Sequence, residues 1–270
     1  VHPDSLNIDP EKIKECLTPK TRAIIAVDYT GLPADLDAIA KIAQDNNLIF
    51  IEDAAHALGA TYKNRPVGSI ADMTTFSLHP VKNITTGEGG LVVTSDSKFT
   101  EGLRRFRNHG ITQDHHQRQK QGTWSYDVEE IGYNYRLTEL NSVLGISQLQ
   151  KLSKLLERRR EIAALYNDAF SEMPQLTLPV GHSDCQSAWH LYVIRLNLDT
   201  LKTDRDEIFQ ALRAENIGVN VHYIPVPWLA YYQKLGYKKG SWPVAESMYH
   251  RLISLPMWPG MTRDDVEDVI

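Results

Sequence analysis

The chain has 270 residues, 42% of them apolar and 23% charged, and a formal net charge of −5 at pH 7. That balance excludes a disordered chain. An acidic total with no long basic run argues against nucleic acid or an anionic membrane as partner, and no apolar stretch is long enough to span a bilayer. Cys16 and Cys185 stand far apart and form no metal or redox motif, which fits a reducing, cytoplasmic setting. Val1 in place of a methionine, and a last stretch that reads as the inside of a helix, give the expectation of a piece of a longer chain.

Strand and helix signals alternate through the first half. Residues 23–28 are a nearly continuous apolar run, as in a strand covered on both faces. Residues 34–46 follow with a helical period carried by Leu36, Ile39, Ala40, Ile42 and Ala43. Strands are expected at 48–51, 72–77 and 91–94, so a mainly parallel sheet with crossover helices is predicted. Residues 108–127 are polar and rich in Gln and His and read as a long loop. Thr138 is placed to cap a helix that runs to about residue 170. Beyond Pro174 and Pro179 the texture changes. Strands are expected at 189–196 and 217–222, and helices at 205–215, 244–252 and from 262 onward. The predicted organisation is a large α/β domain over 1–137, a long linking helix over 138–170 and a small α+β domain over 171–270.

The chemistry concentrates at two places. The strand at 48–51 runs into Glu52-Asp53-Ala54-Ala55-His56, and ligands of parallel α/β sheets bind at the carboxyl ends of strands. Alternation along the strand points Glu52 and Asp53 to opposite faces. Asp53 is either the cap of a following helix or an acid that holds a heteroaromatic nitrogen protonated. Lys82 lies between Pro80 and the glycines Gly87, Gly89 and Gly90, beside the apolar Phe76, Leu78 and Val81. Partial desolvation there lowers a lysine pKa and makes the amine a nucleophile. An acid at a strand end followed by a lysine in a glycine-flanked loop is what a pyridoxal phosphate enzyme needs, the lysine for the Schiff base and the acid for the ring nitrogen. Ser77 either binds a phosphate or bonds the backbone. His56 covers a ring face or begins a helix. His115 and His116 lack a companion acid or cysteine, so a solvated loop is favoured over a metal site. His222 and Tyr223 are a substrate contact or a half-buried strand end. A P-loop sequence is lacking.

Taken together, Glu52–Ala60, Phe76–Gly90, Arg107–Ile111, Gly132–Thr138 and Val221–Val226 resemble, in this order, the DegT/StrS family of sugar aminotransferases. The resemblance implies the fold-type-I aminotransferase fold, with a mainly parallel large domain and a small α+β domain. It implies pyridoxal 5'-phosphate as cofactor, with Lys82 as the Schiff-base lysine, Asp53 on the pyridinium nitrogen, His56 packed near the ring and Ser77 on the phosphate. Asn134 matches an asparagine that reaches the cofactor phosphate of a neighbouring subunit, which implies a homodimer with shared sites. His109, His222 and Tyr223 fall to the sugar-nucleotide side. The implied reaction moves an amino group from L-glutamate to C4 of a UDP-linked 4-keto-6-deoxy-N-acetylhexosamine. Another nucleotide-linked keto sugar, or an inactive fragment with a binding role, is the alternative. The related dehydratases carry histidine at the lysine position, so Lys82 argues against them. The family's N-terminal Gly-Thr phosphate-binding turn has no counterpart here, so weak cofactor binding by this polypeptide alone is expected.

Overall fold

The computed structural model describes residues 1–181 and 183–270. The first half runs α1 Pro10–Cys16, β1 Ala23–Val27, α2 Leu36–Asp45, β2 Ile49–Asp53, the two-residue strands β3 Thr61–Tyr62 and β4 Arg65–Pro66, β5 Met73–Ser77 and β6 Gly90–Val93. Three helices follow before α6, namely α3 Ser97–Phe106, α4 His115–Gln121 and α5 Glu139–Leu149; α6 itself is Leu152–Phe170. The remainder is β7 Leu176–Thr177, β8 Cys185–Gln186, β9 Tyr192–Leu196, α7 Arg205–Ala214, α8 Ala230–Lys234, α9 Pro243–Tyr249, β10 Leu252–Leu255 and α10 Arg263–Glu267.

The main sheet has the order β1-β2-β5-β6. β1, β2 and β5 are parallel, and β6 pairs antiparallel with β5. α2 covers one face because its apolar residues recur at helical spacing. Leu36, Ile39, Ile42 and Ala43 are all buried and pack with Ile24, Ala26 and Phe50 of the sheet. The Asp35 side chain caps this helix by accepting from the Ala38 N–H at 3.3 Å. Phe50 is 2% exposed, so truncating it to alanine costs about 3–5 kcal/mol. The opposite face is open: Ile25 and Val27 are 61% and 44% exposed. The strand period of two therefore sorts every side chain of β2 and β5 between a sealed face and an open one.

A second core surrounds the antiparallel sheet β10-β9-β7. All five residues of β9 are buried. α6 supplies Ile162, Ala163, Tyr166 and Phe170 to this core, spaced three and four apart so that they share a face. The small sheet β4-β3-β8 joins the two halves of the chain through the pairing of β3 with β8.

The sheet is mainly parallel as expected, and its edge strand β6 is antiparallel, as a hairpin-like return through the Lys82 loop allows without a crossover helix. Several other expectations are corrected. The single helix over 138–170 is two helices, α5 and α6, broken at Gln150 and Lys151. Thr138 does cap α5, accepting from the Asn141 N–H at 3.2 Å. Of the apolar stripe expected along that helix, Leu140, Val143, Leu144 and Leu149 are exposed, whereas α6 is half sunk in the core. The 108–127 loop contains α4, capped by Asp114 and Gln117 in a reciprocal pair of hydrogen bonds. No strand forms over 217–222, where only Asn220 bridges to Ser254. The helix expected over 244–252 ends at Tyr249, and Leu252 instead opens β10.

Candidate active site

Asp53 ends β2 and Ser77 ends β5. In register, Asp53 pairs with Val27 and Thr75, so these side chains share the open face together with Ser77. No helix follows Asp53 directly; its Oδ1 accepts from the Ala55 N–H at 3.1 Å. The helix-cap and helix-start readings of Asp53 and His56 are thereby removed.

The loop between β5 and β6 carries Lys82. Its ends are tied, with the Leu78 N–H donating to Gly89 O at 2.9 Å and the Thr86 N–H to Leu78 O at 3.1 Å. The Thr86 hydroxyl donates to Glu88 O at 2.8 Å. Asn83, directly after the lysine, is buried and donates to Leu58 O at 3.4 Å and Ala188 O at 3.3 Å. Ile84 and Thr86 are buried as well. A side chain at Gly89 would place its Cβ 2.5 Å from Thr86 Oγ1 and 3.0 Å from Leu137 Cδ1, so only glycine fits there. Lys82 thus stands on a loop held by its neighbours, itself half-buried.

Burial lowers the Lys82 pKa from its ordinary value, and the Asp53 carboxylate opposes that shift. Lys82 in turn acts on a group of histidines. The His56 pKa is pushed down to about 3, first by burial and then by Lys82 and His222. His190 falls to about 2, again mainly through burial, with His56, Lys82, Arg159 and His222 adding to it. His222 is lowered by burial and by Lys82. The His56 and His190 rings lie 4.5 Å apart between centroids. Their Nδ1 atoms are buried and have no hydrogen-bond partner among the described residues. The His222 Nδ1 shares a hydrogen bond with Ser254 Oγ at 2.7 Å, and the Tyr29 hydroxyl donates to His222 O. Tyr223 projects from beside His222, 56% exposed.

The structure therefore brings together Asp53, His56, Lys82 and His222 and adds His190, which sequence reasoning took for part of a strand. The only signal for it was an unpaired polar residue between Trp189 and an apolar run. Ser77 sits at the head of the same loop, its Oγ accepting from the His79 N–H at 3.3 Å. Asn134 and His109 lie apart from this group. The backbones of Asn108 and Asn134 bridge, and the His109 N–H donates to Tyr133 O at 2.9 Å. Among the described residues neither side chain hydrogen-bonds to the Lys82 group. His115 and His116 open the exposed α4.

The arrangement meets the demands of pyridoxal phosphate. It offers a half-desolvated amine, a carboxylate at a strand end on the same face, and a buried neutral imidazole with an unused ring nitrogen. Fold and site define an aminotransferase of fold type I. The comparison with known proteins agrees. The model of the DegT/DnrJ/EryC1/StrS aminotransferase family matches residues 1–270, and the chain belongs to that family. It is 43% identical over 270 residues to the spore coat polysaccharide biosynthesis protein SpsC of Bacillus subtilis, covering 99% of this chain and 69% of SpsC. Its structure superposes on Helicobacter pylori PseC, an aminotransferase of pseudoaminic acid biosynthesis, with a TM-score of 0.90 at 34% identity, covering 97% of this chain and 68% of that one. The pyridoxal phosphate form of the sugar aminotransferase Spr1654 of Streptococcus pneumoniae gives 0.89 at 29% identity, over 99% and 71%. The chain is a pyridoxal phosphate-dependent sugar aminotransferase by family and fold.

Proposed function

We propose that the chain transfers an amino group from L-glutamate to C4 of a UDP-linked 4-keto-6-deoxy-N-acetylhexosamine, as in a pseudaminic acid-type pathway, in the cytoplasm. The observation that carries the site is Lys82 on its tied loop, facing Asp53 and flanked by neutral His56, His190 and His222. The sugar assignment is supported by the likeness to PseC at 34% identity and by the sequence segments around Lys82 and His222.

When bound, pyridoxal phosphate supplies the electron sink that makes the C–H bond beside the amino group acidic. Lys82 Nζ is the group that would bond to the cofactor and, as a free amine, would carry the proton to and from the substrate carbon. Its lowered pKa enlarges the fraction present as free amine, which serves both tasks. Asp53 would accept the hydrogen bond of the ring nitrogen and keep it protonated. His56, held neutral by burial, would pack at the ring without adding a competing positive charge. Ser77 would take the phosphate, together with Asn134 of a second copy in a homodimer with shared sites. His222 and Tyr223, with His109, receive the sugar nucleotide.

The test has two arms. With pyridoxal phosphate present, borohydride reduction should fix the pyridoxyl group on Lys82, as read by peptide mass spectrometry, and Lys82→Ala should lose both the label and amino transfer. Transfer that persists in Lys82→Ala refutes the assignment. Given L-glutamate, turnover of the UDP-linked N-acetyl keto sugar should exceed that of a dTDP-linked gluco-configured keto sugar; the reverse order refutes the sugar assignment alone.

A further inference from the structure

Directly behind Asp53, on the sealed face of the sheet, lies an acid pair that the reaction above leaves unused. Ala26, Glu52 and Thr74 are in register across β1, β2 and β5, so their side chains share a face. Asp28, two residues beyond Ala26, falls on that face diagonally next to Glu52. Asp28, Glu52, Ala26 and Thr74 are all 0% exposed. The Asp28 and Glu52 carboxyl groups lie close enough for each to act on the ionisation of the other. Each has one oxygen occupied elsewhere. Asp28 Oδ1 accepts from the Ala34 N–H at 2.9 Å. Glu52 Oε2 accepts from the Thr74 hydroxyl at 2.7 Å and the Gly68 N–H at 3.1 Å. The other two oxygens, Asp28 Oδ2 and Glu52 Oε1, are buried and have no hydrogen-bond partner among the described residues.

Two carboxylates are acceptors only, so one proton held between these two unpartnered oxygens is what would satisfy both. Among the described residues no cation pairs with either carboxyl. The charged and polar groups acting on the pair are Asp53, the Ala34 and Gly68 N–H groups and the Thr74 hydroxyl. Burial and the neighbouring Glu52 charge push Asp28 well above the ordinary carboxylate range, with Asp53 adding to the shift. The link to the active site is covalent and direct. Glu52 precedes Asp53 in β2, and the Asp28 N–H donates to Asp53 O at 3.0 Å.

We propose that Asp28 and Glu52 share one proton at neutral pH, and that this pair, with its single negative charge behind Asp53, positions Asp53 and strengthens its hold on the protonated ring nitrogen of the cofactor. The first half concerns the chain alone, and the second rests on the pyridoxal phosphate reading. Each amide variant reproduces the shared-proton pattern. In Glu52→Gln the amide NH2 takes the Oε1 position and donates to Asp28, while its oxygen still accepts from Thr74 and Gly68. Asp28→Asn does the same from the other side. Both keep one negative charge. The double variant sets two NH2 groups face to face and removes the charge.

Infrared spectroscopy of the full chain without cofactor, with 13C-labelled aspartate and glutamate carboxyls, should show a protonated carboxylic acid band at neutral pH that is lost in either single amide. Lack of the band in the wild type, or its survival in both single variants, overturns the shared proton whatever the enzyme does. For the second half, 15N-labelled pyridoxal phosphate is bound to the protein and its ring nitrogen is titrated by NMR. The single amides should match the wild type. The double variant should lower the nitrogen's titration midpoint by about one pH unit, and Asp28→Asn/Glu52→Ala, a second route to removing the charge, should lower it too. Wild-type midpoints in both would overturn the positioning role. A wild type that fails to take the cofactor at Lys82 speaks against the enzymatic reading and leaves the infrared result standing.

Discussion

Arg159 offers a demanding test of how the second core supports the site. It is 4% exposed on α6, and its Nη1 donates to Trp189 O at 3.0 Å, His190 O at 3.2 Å and Met257 O at 3.1 Å. A single guanidinium thus clamps the segment entering β9 to the one leaving β10. Burial lowers its pKa to about 10, still charged at neutral pH. A hydrogen bond to a charged group is worth roughly 1.5–3 kcal/mol, and the two N–H bonds of Nη1 are shared among the three carbonyls, so the gross value is about 3–6 kcal/mol. Desolvation of a buried cation offsets several kcal/mol of that. The net loss expected for Arg159→Ala is about 3 kcal/mol, since three buried carbonyls lose their donor. At about 2 °C per kcal/mol for a chain of this size, the midpoint falls by roughly 6 °C. Arg159→Met fills most of the volume and should lose about 2 kcal/mol, the share that comes from the unsatisfied carbonyls alone. Urea unfolding at neutral pH measures both. A change below about 1 kcal/mol in Arg159→Ala, with an unchanged denaturant slope, would refute the clamp. Because His190 O is one of the clamped carbonyls, Arg159→Ala should also slow pyridoxyl labelling of Lys82.

Further outcomes can be checked independently. His56 and His190 have folded pKa values near 3 and 2, below the unfolded value of about 6.5. Their depressed pKa means that the stability they confer is complete above about pH 6.5 and is lost as pH falls toward 3, by up to about 1.4 kcal/mol per pH unit for each histidine. The His56→Gln/His190→Gln protein should show a flatter acid limb in unfolding titrations; an equal slope would exclude these imidazoles as its source. Gly89→Ala meets Thr86 Oγ1 at 2.5 Å, and should cost about 1–3 kcal/mol while lowering labelling at Lys82, as mass spectrometry can read. Asp114→Ala removes the reciprocal cap of α4. It should raise amide exchange in that exposed helix by about 1 kcal/mol and leave Lys82 labelling unchanged.

Much of this was legible in residue order. β1, α2, β2 and β5 follow from short-range periodicity. Asp53 and Lys82 stood out because an acid at a strand end and a lysine among glycines are uncommon local contexts. The break between α5 and α6 was hidden, since the apolar spacing continues through Gln150 and Lys151. Which part of that stripe is buried depends on what packs against it. β10 was hidden for a similar reason: Leu252–Leu255 is too short an apolar run to be told from a helix end until β9 is beside it. His190 joins the site through a contact with His56 that spans more than a hundred residues, and no local pattern announces such a pairing.

The sequence by itself determined the alternation of side chains along β2, and with it that Glu52 and Asp53 part to opposite faces. That is a property of the extended backbone and holds in any fold. It also determined the residue types available for the chemistry, a lysine, an acid and several histidines. Only the tertiary structure decided their ionisation. Lys82, His56, His190 and the Asp28–Glu52 pair depart from their ordinary pKa values because other parts of the chain exclude water from them, and desolvation is a property of the assembled fold, not of any residue's neighbours in sequence.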